Sequence, residues 1–323
     1  MSNLDPAAGD SRPALPRLLF LDLDGTLLAT GSHLRRRNAE AVAAMAARGT
    51  TVVLATGGFA SRTRVVADAL RGMGVANLWM VTHNGAAIWR PDGQLVHRLP
   101  IPHAALATAV RASGRSVWIV FEVVGIDGEA RTCYAGRARP ELTSFIWGPT
   151  RRENDDPADV PLERLDPDWD WRDSRRLARA PDGSGADVLA IWVIGTARAL
   201  ARLDEIADDG TLCGARYESW TSRVGSMTGN RLLRIEGRDI NPPGTTKATA
   251  IRWLCRHLGV PVGETAAFGD GRNDREMVAT VGRGVAMANA HATVIAAAAR
   301  VAPHHDADGV ADVLEGWLAG SGW

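Results

Sequence analysis

An α/β fold with a parallel sheet, interrupted by an inserted α+β module, is predicted from three observations. Short apolar runs alternate with helical stretches near both ends of the chain, the order expected of βαβ units. Two of those runs end in carboxylates far apart in sequence, Leu21-Asp22-Leu23-Asp24-Gly25-Thr26 and Gly269-Asp270-Gly271-Arg272-Asn273-Asp274. Between them the pattern changes to strand pairs joined by turns, with helices interspersed, as in an antiparallel sheet.

The elements follow in order. Residues 1–16 carry Pro6, Pro13 and Pro16 and no apolar leader, so they read as a loose tail. Arg17 to Leu23 is a continuous apolar strand that opens onto carboxylates. Asn38 to Arg48 is an alanine-rich helix stopped by Gly49, and Thr51 to Ala55 is a β-branched strand ending at Thr56-Gly57-Gly58. A helix over Ser61 to Arg71 and a strand over Leu78 to Val81 complete this segment, 17–86. The inserted module, 87–241, starts with a hairpin about Pro91-Asp92-Gly93. A helix over His103 to Arg111 follows, then strands over Val117 to Val124, Arg131 to Ala135 and Val188 to Ile194. A helix over Ala197 to Ala207 and strands over Tyr217 to Trp220 and Arg231 to Glu236 close the module. The Asp-, Arg- and Pro-rich stretch from Gly148 to Gly185 reads as a partly helical surface excursion. From 242 to 323 the alternation resumes, with a helix over Ala248 to Leu258 and a strand over Thr265 to Phe268. A helix over Arg275 to Val281, a strand over Gly284 to Met287 and helices over Ala292 to Ala299 and Val310 to Leu318 complete it. The segments 17–86 and 242–323 are expected to share one sheet.

Composition narrows the function. A formal charge of zero with no long basic block gives no support for electrostatic capture of nucleic acid or of an anionic membrane. The apolar run Leu18 to Leu23 is far too short to span a bilayer. Cys133, Cys213 and Cys255 are widely spaced, which argues for a reducing compartment and against a disulfide framework or zinc site. The expected location is cytoplasmic. His304-His305 reads as surface, and most of the 11 tryptophans as core or interface, with one or two free to line a substrate cavity.

The chemistry lies in the acidic motifs and one cation. Lys247 is the single lysine among 37 lysines and arginines, and it falls between the two motifs. An ammonium is a compact point charge where guanidinium is a planar fork, so the two are not interchangeable in a tight phosphate pocket. Carboxylates on both sides of such a cation suggest a magnesium-dependent phosphoryl-transfer site. Asp22 and Asp24 lie two apart at a strand end, and a break at Gly25 would let the second carboxylate swing over the first. One could then attack phosphorus while the other handles the leaving-group proton. By itself this motif fits a surface Asx turn equally well. Asp270 and Asp274 offer hard oxygen ligands suited to Mg²⁺, and also fit a helix cap. Thr56 and Gly57 offer a hydroxyl and backbone N–H groups to a phosphate, or an ordinary βα turn.

Taken together, the motifs resemble the haloacid dehalogenase-like hydrolases, specifically the Cof-type branch with a C2B-type cap inserted after the second motif. Asp22 to Leu28, Asn84-Gly85-Ala86, Gly269 to Met277, Gly284 to Ala290 and Asp308-Gly309-Val310 carry the resemblance. It implies a Rossmann-like core, with Asp22 as the nucleophile that becomes an aspartyl-phosphate and Asp24 as acid and then base. It further implies Mg²⁺ held by Asp22, the Asp24 carbonyl and Asp270, with Asp274 behind them. Thr56 and Gly57 would bind phosphoryl oxygens, Lys247 would offset charge and orient Asp22, and Asn273 would contact phosphate or substrate. Gly58 departs from the arginine many relatives carry there.

The expected function is hydrolysis of a small phosphorylated metabolite, first among them a sugar phosphate. A sugar phosphomutase would use the same intermediate. A ligand-binding protein on this scaffold would be expected to have lost a motif residue, and none is lost. The oligomeric state is left open by the sequence.

Overall fold

Leu18–Leu21 forms the first strand, β1, and it is buried on both faces. Leu19 and Leu21 pack into one apolar cluster while Leu18 and Phe20 pack into another on the opposite side, as the two-residue period of a strand requires. The computed structural model describes residues 14–102, 104–105, 108–109, 112, 117–124, 130–135, 163–164, 187–207, 211–225 and 232–321. A small antiparallel flap follows β1, made of Leu28–Ala29 (β2) and His33–Leu34 (β3). Then come helix Arg36–Ala47 (α1), strand Thr51–Ala55 (β4), helix Ala60–Gly72 (α2) and strand Leu78–Thr82 (β5).

Ala87–Trp89 (β6) and Leu95–Arg98 (β7) form the expected hairpin, but they belong to the first sheet. Strand β6 pairs antiparallel with β5 and buries Ile88 and Trp89 completely. The passage into the second sheet therefore comes after Arg98 rather than at 87, because an apolar three-residue strand gains most by covering an open edge.

Strands Trp118–Val124 (β8), Ala130–Ala135 (β9), Glu163–Arg164 (β10) and Asp187–Gly195 (β11) begin the second sheet. Thr211–Leu212 (β12), Ala215–Gly225 (β13) and Leu232–Asn241 (β14) complete it, in the order β10-β9-β8-β11-β14-β13-β12. Apart from the parallel β9–β10 pair it is antiparallel. Phe121 and Val193 on its strands pack with Leu200 and Leu203 of helix Ala197–Ile206 (α3). Residues 104, 105, 108 and 109 of the expected helix at His103 to Arg111 are helical, as is 112 just beyond it, and the other positions of that helix lie outside the described residues. So does the Gly148 to Gly185 stretch, apart from β10.

The chain returns through helix Lys247–Leu258 (α4), strand Thr265–Gly269 (β15), helix Arg275–Thr280 (α5) and strand Arg283–Met287 (β16). Here Ala292–Ile295 (α6) is half the predicted helix, and Arg300–Ala302 forms a strand, β17, in place of coil. The Ala299 N–H bonds to the Gly284 carbonyl, so sheet pairing overrides the helix propensity of alanine. Helix Gly309–Leu318 (α7) ends the described chain. The first sheet runs β17-β16-β15-β1-β4-β5-β6-β7, parallel as far as β5. Residues of α1, α2 and α7 pack on one face and residues of α4 on the other. Connections from β1 diverge to either side, which places a crevice at the carboxyl ends of β1, β4 and β15.

A buried contact ties the two sheets together. Glu122 of β8 and His83, just after β5, are both fully buried, with Glu122 Oε1 2.7 Å from His83 Nε2. The other oxygen, Oε2, accepts from the Ala60 N–H at the start of α2 at 3.0 Å.

Candidate active site

The three carboxyl ends that meet at the crevice carry Asp22, Thr56 and Asp270. Strand β1 stops at Leu21, and Asp24 leaves the sheet as an isolated bridge to Leu28. Gly25 permits the turn at φ +78°, and a side chain there would overlap the Asp270 carboxylate. Glycine is thus required both for the turn and for the approach of the second acidic loop. The expected break at Gly25 is present.

Lys247 is the first residue of α4, where a cation opposes the helix dipole. Two carboxylates compensate it. Its Nζ donates to Asp22 Oδ1 at 2.5 Å and to Asp274 Oδ1 at 2.6 Å, and the lysine is 1% exposed. Burial alone would lower the ammonium's pKa, and Asp22 and Asp274 more than reverse this, so Lys247 stays charged. Asp274 spends its other oxygen on the backbone N–H groups of Asp270 (3.0 Å) and Gly271 (2.9 Å). The N–H groups and the lysine together fix Asp274 as the organiser of its own loop.

Asp270 accepts from Thr26 Oγ1 at 3.0 Å and from Asn289 Nδ2 at 3.3 Å. Burial, with the Asp274 charge beside it, pushes Asp270 up to about 6. Burial and Asp274 likewise hold Asp22 well above the usual carboxylate range, against the pull of Lys247. Oxygens of Asp22, Asp270 and Asp274 lie within 4.8 Å of one another. One ammonium does not neutralise three carboxylates in this setting. The excess of negative charge on hard oxygen atoms fits a cation such as Mg²⁺.

On the β4 side, Thr56 is buried and its Oγ1 accepts from the Gly58 N–H at 3.0 Å, closing the turn that presents Gly57. Asn84 caps this corner in a left-handed conformation (φ +54°) and accepts at Oδ1 from Asn273 Nδ2 at 2.9 Å. A side chain at Gly57 would come to 3.0 Å from that same Asn84 oxygen. The Thr56 turn and the Asn273 loop therefore meet through Asn84.

All eight sequence-derived site residues are together: Asp22, Asp24, Thr56, Gly57, Asp270, Asn273 and Asp274 line one cavity of about 850 Å³, and Lys247 lies beneath Asp22. The far wall comes from the second sheet, with Trp192 on β11, Glu218 and Ser219 on β13, and Glu236, Arg238 and Asp239 on β14. Of these, only the tryptophan had a sequence signal, as one of those free to line a cavity. Arg62 of α2 also lines the cavity and was not expected there. His304, His305 and Asp306 cluster elsewhere, and both Asp306 oxygens accept from Thr30 at 2.7 Å, anchoring the flap.

Comparison with known proteins agrees with this architecture. The model of the haloacid dehalogenase-like hydrolases matches residues 19–123 and 233–314, over half of the chain, and the chain belongs to that family. The gap between the matched segments covers β9 to β13 of the second sheet; the parallel sheet is the core and the second sheet the inserted cap. Within the family the chain is of the Cof type. An HMP-PP phosphatase of Escherichia coli (strain 55989 / EAEC) is 26% identical over 277 residues, 85% of each chain. The HMP-PP phosphatase of Cronobacter sakazakii is 26% identical over 311 residues, 94% of this chain and 96% of that one. Among solved structures, a haloacid dehalogenase-like hydrolase from Bacteroides thetaiotaomicron superposes with a TM-score of 0.68 at 22% identity, over 93% of this chain and 98% of that one. A subclass IIB sugar phosphatase superposes with a TM-score of 0.62 at 19% identity, over 94% and 99%.

Proposed function

We propose that this enzyme is a Mg²⁺-dependent phosphatase that hydrolyses a small phosphomonoester through an aspartyl-phosphate on Asp22. The observation that carries the reading is the buried Lys247, bonded at once to Asp22 and Asp274 with Asp270 alongside. In the first step an Asp22 oxygen bonds to phosphorus as the bond from phosphorus to the leaving oxygen breaks. The electron pair departs with that oxygen, and Asp24 gives it a proton. Water then attacks phosphorus and its proton passes to Asp24. The Asp22–phosphorus bond breaks, inorganic phosphate leaves, and both carboxyl groups are restored. Thr56 and the Gly57 N–H receive phosphoryl oxygens, and Asn273 braces the same corner through Asn84. Asp22, the Asp24 carbonyl and Asp270 would hold Mg²⁺, which when bound supplies charge that offsets repulsion between a phosphate dianion and a carboxylate.

The cap wall supports a hydroxyl-bearing leaving group, and a sugar phosphate is the first candidate. Carboxylates of Glu218, Glu236 and Asp239 accept from hydroxyls, and Trp192 offers a flat apolar surface. The same carboxylates disfavour a second negative group on that side of the cavity. The relatives named for HMP-PP and the structural neighbour named for sugar phosphate share a small phosphorylated substrate.

The test is inorganic phosphate release from a panel of sugar phosphates, nucleotides and other phosphomonoesters, with Mg²⁺ and with EDTA. Release from a narrow subset, abolished by EDTA, is expected. Asp22→Asn is expected to lower kcat by about 10⁴-fold or more while the protein stays folded. Undiminished turnover in that variant overturns the assignment.

A further inference from the structure

The mechanism assigns Asp24 a proton to deliver, yet nothing in the strand that precedes it holds its side chain. Asp24 has already left the sheet, and its side chain is 50% exposed. An acid that must meet the leaving oxygen within about 3 Å needs its carboxyl held. Among the described residues, no hydrogen bond or ion pair from the second sheet reaches it. Arg62 does.

Arg62 Nη2 donates to Asp24 Oδ1 at 2.5 Å and lies 2.8 Å from Ser32 Oγ, to which it also donates. Its side chain is only 13% exposed, although it sits on the cavity wall. Ser32, at φ +61° in the β2–β3 flap, itself reaches Asp24 Oδ1 at 3.4 Å. The arginine thus joins α2, the flap and the strand-end carboxylate at one point. Its place in the helix is unfavourable by itself. Arg62 is the third residue of α2, in the turn where the dipole disfavours cations. The neighbouring turn has glycine at position 58 and offers no side chain for this work.

Building on the two-carboxylate reading above, the geometry points to Arg62 as the positioning residue that aims Asp24 at the leaving oxygen. Lys247 fixes the nucleophile from beneath, and Arg62 fixes the acid from the side. The difference in cation type suits the difference in task. A buried ammonium acts on Asp22 as a point charge, whereas a planar guanidinium fixes the direction of the Asp24 carboxyl through a directed N–H and keeps further donors for Ser32.

The test uses the full-length protein with Mg²⁺ and two aryl esters. p-Nitrophenyl phosphate releases a weakly basic phenolate that departs without a proton, and phenyl phosphate releases a stronger base that needs one. Arg62→Gln is expected to lower kcat on phenyl phosphate by about 30-fold and on p-nitrophenyl phosphate by less than about 3-fold, a fraction of the range for full acid catalysis. Arg62→Lys, which keeps the charge and loses the fork, should fall between Arg62→Gln and wild type on phenyl phosphate. Circular dichroism and a melting curve establish that each variant is folded. Equal losses on both esters, or no loss on either, overturn the positioning role. Asp24→Asn separates this from the underlying reading: it must show the same selective loss, and if it does not, the role of Asp24 fails instead.

Discussion

Each sheet carries a cluster of charge, and the two are built on opposite terms. In the core, Lys247 faces Asp22 and Asp274 with Asp270 close by, all of them largely removed from water. In the cap, Arg238 grips Asp204 with two bonds of 2.6 Å, and Tyr217 donates to the same carboxylate at 2.7 Å. The cap cluster is balanced, one cation to one anion, and the Asp204 carboxylate is 41% exposed. The core cluster has more anions than cations and little water to screen them. Balance and exposure serve shape; imbalance and burial suit a site that takes up a cation.

The largest effect that would break this contrast is on Lys247. Lys247→Met leaves two carboxylates buried without their cation, and it is expected to lower phosphate release by at least about 10³-fold. It should also destabilise the protein by about 3 kcal/mol in urea unfolding at neutral pH. Retention of both would show that the core cluster is no more demanding than the cap's.

A smaller effect sharpens the comparison. Saturating Mg²⁺ should stabilise the wild type by about 2–3 kcal/mol at a hundredfold excess over its dissociation constant. This is read as a rise in the thermal midpoint, and Asp270→Asn should remove most of the rise. The same Mg²⁺ should leave the response of a cap variant, Asp204→Asn, at the wild-type value.

The smallest effect belongs to the cap pair itself. The hydrogen bond from Arg238 holds the Asp204 carboxyl below its ordinary pKa, with Tyr217 adding to the effect. A carboxyl lowered on folding contributes stability above its unfolded pKa and loses it as pH falls through the folded value. Asp204→Asn should therefore cost about 1 kcal/mol at neutral pH, limited by solvent screening at so exposed a carboxylate. The difference from wild type should close as pH drops below the ordinary aspartate range, which urea unfolding at a series of pH values would follow.

Much of the core cluster was legible because its residues sit at strand ends. A continuous apolar run followed by Asp22 or Asp270 declares both the strand and the direction of its open end, and Lys247 stood out as the one lysine. Arg62 had no such signature, being one helical arginine among many until the flap folds against it. His83 and Glu122 were equally silent, since their meaning is a contact between sheets. The boundary at Arg98 was missed because a turn reports a hairpin and not the sheet it joins. Just before β17, the alanine-rich run to Ala299 spoke for a helix, and pairing at the sheet edge decided otherwise.

The buried contact between Glu122 and His83 fixes where the cap meets the core. One carboxylate holds the cap to two landmarks of the core: the first N–H of α2 and the residue next to Asn84. Pulling it free would strand an acid and an imidazole in an apolar interior. The Phe59 ring, one residue before Ala60, lies 4.5 Å from that of Trp192 on the cap wall. The cap is thus keyed to the core twice at one corner, once by a buried hydrogen bond and once by aromatic packing.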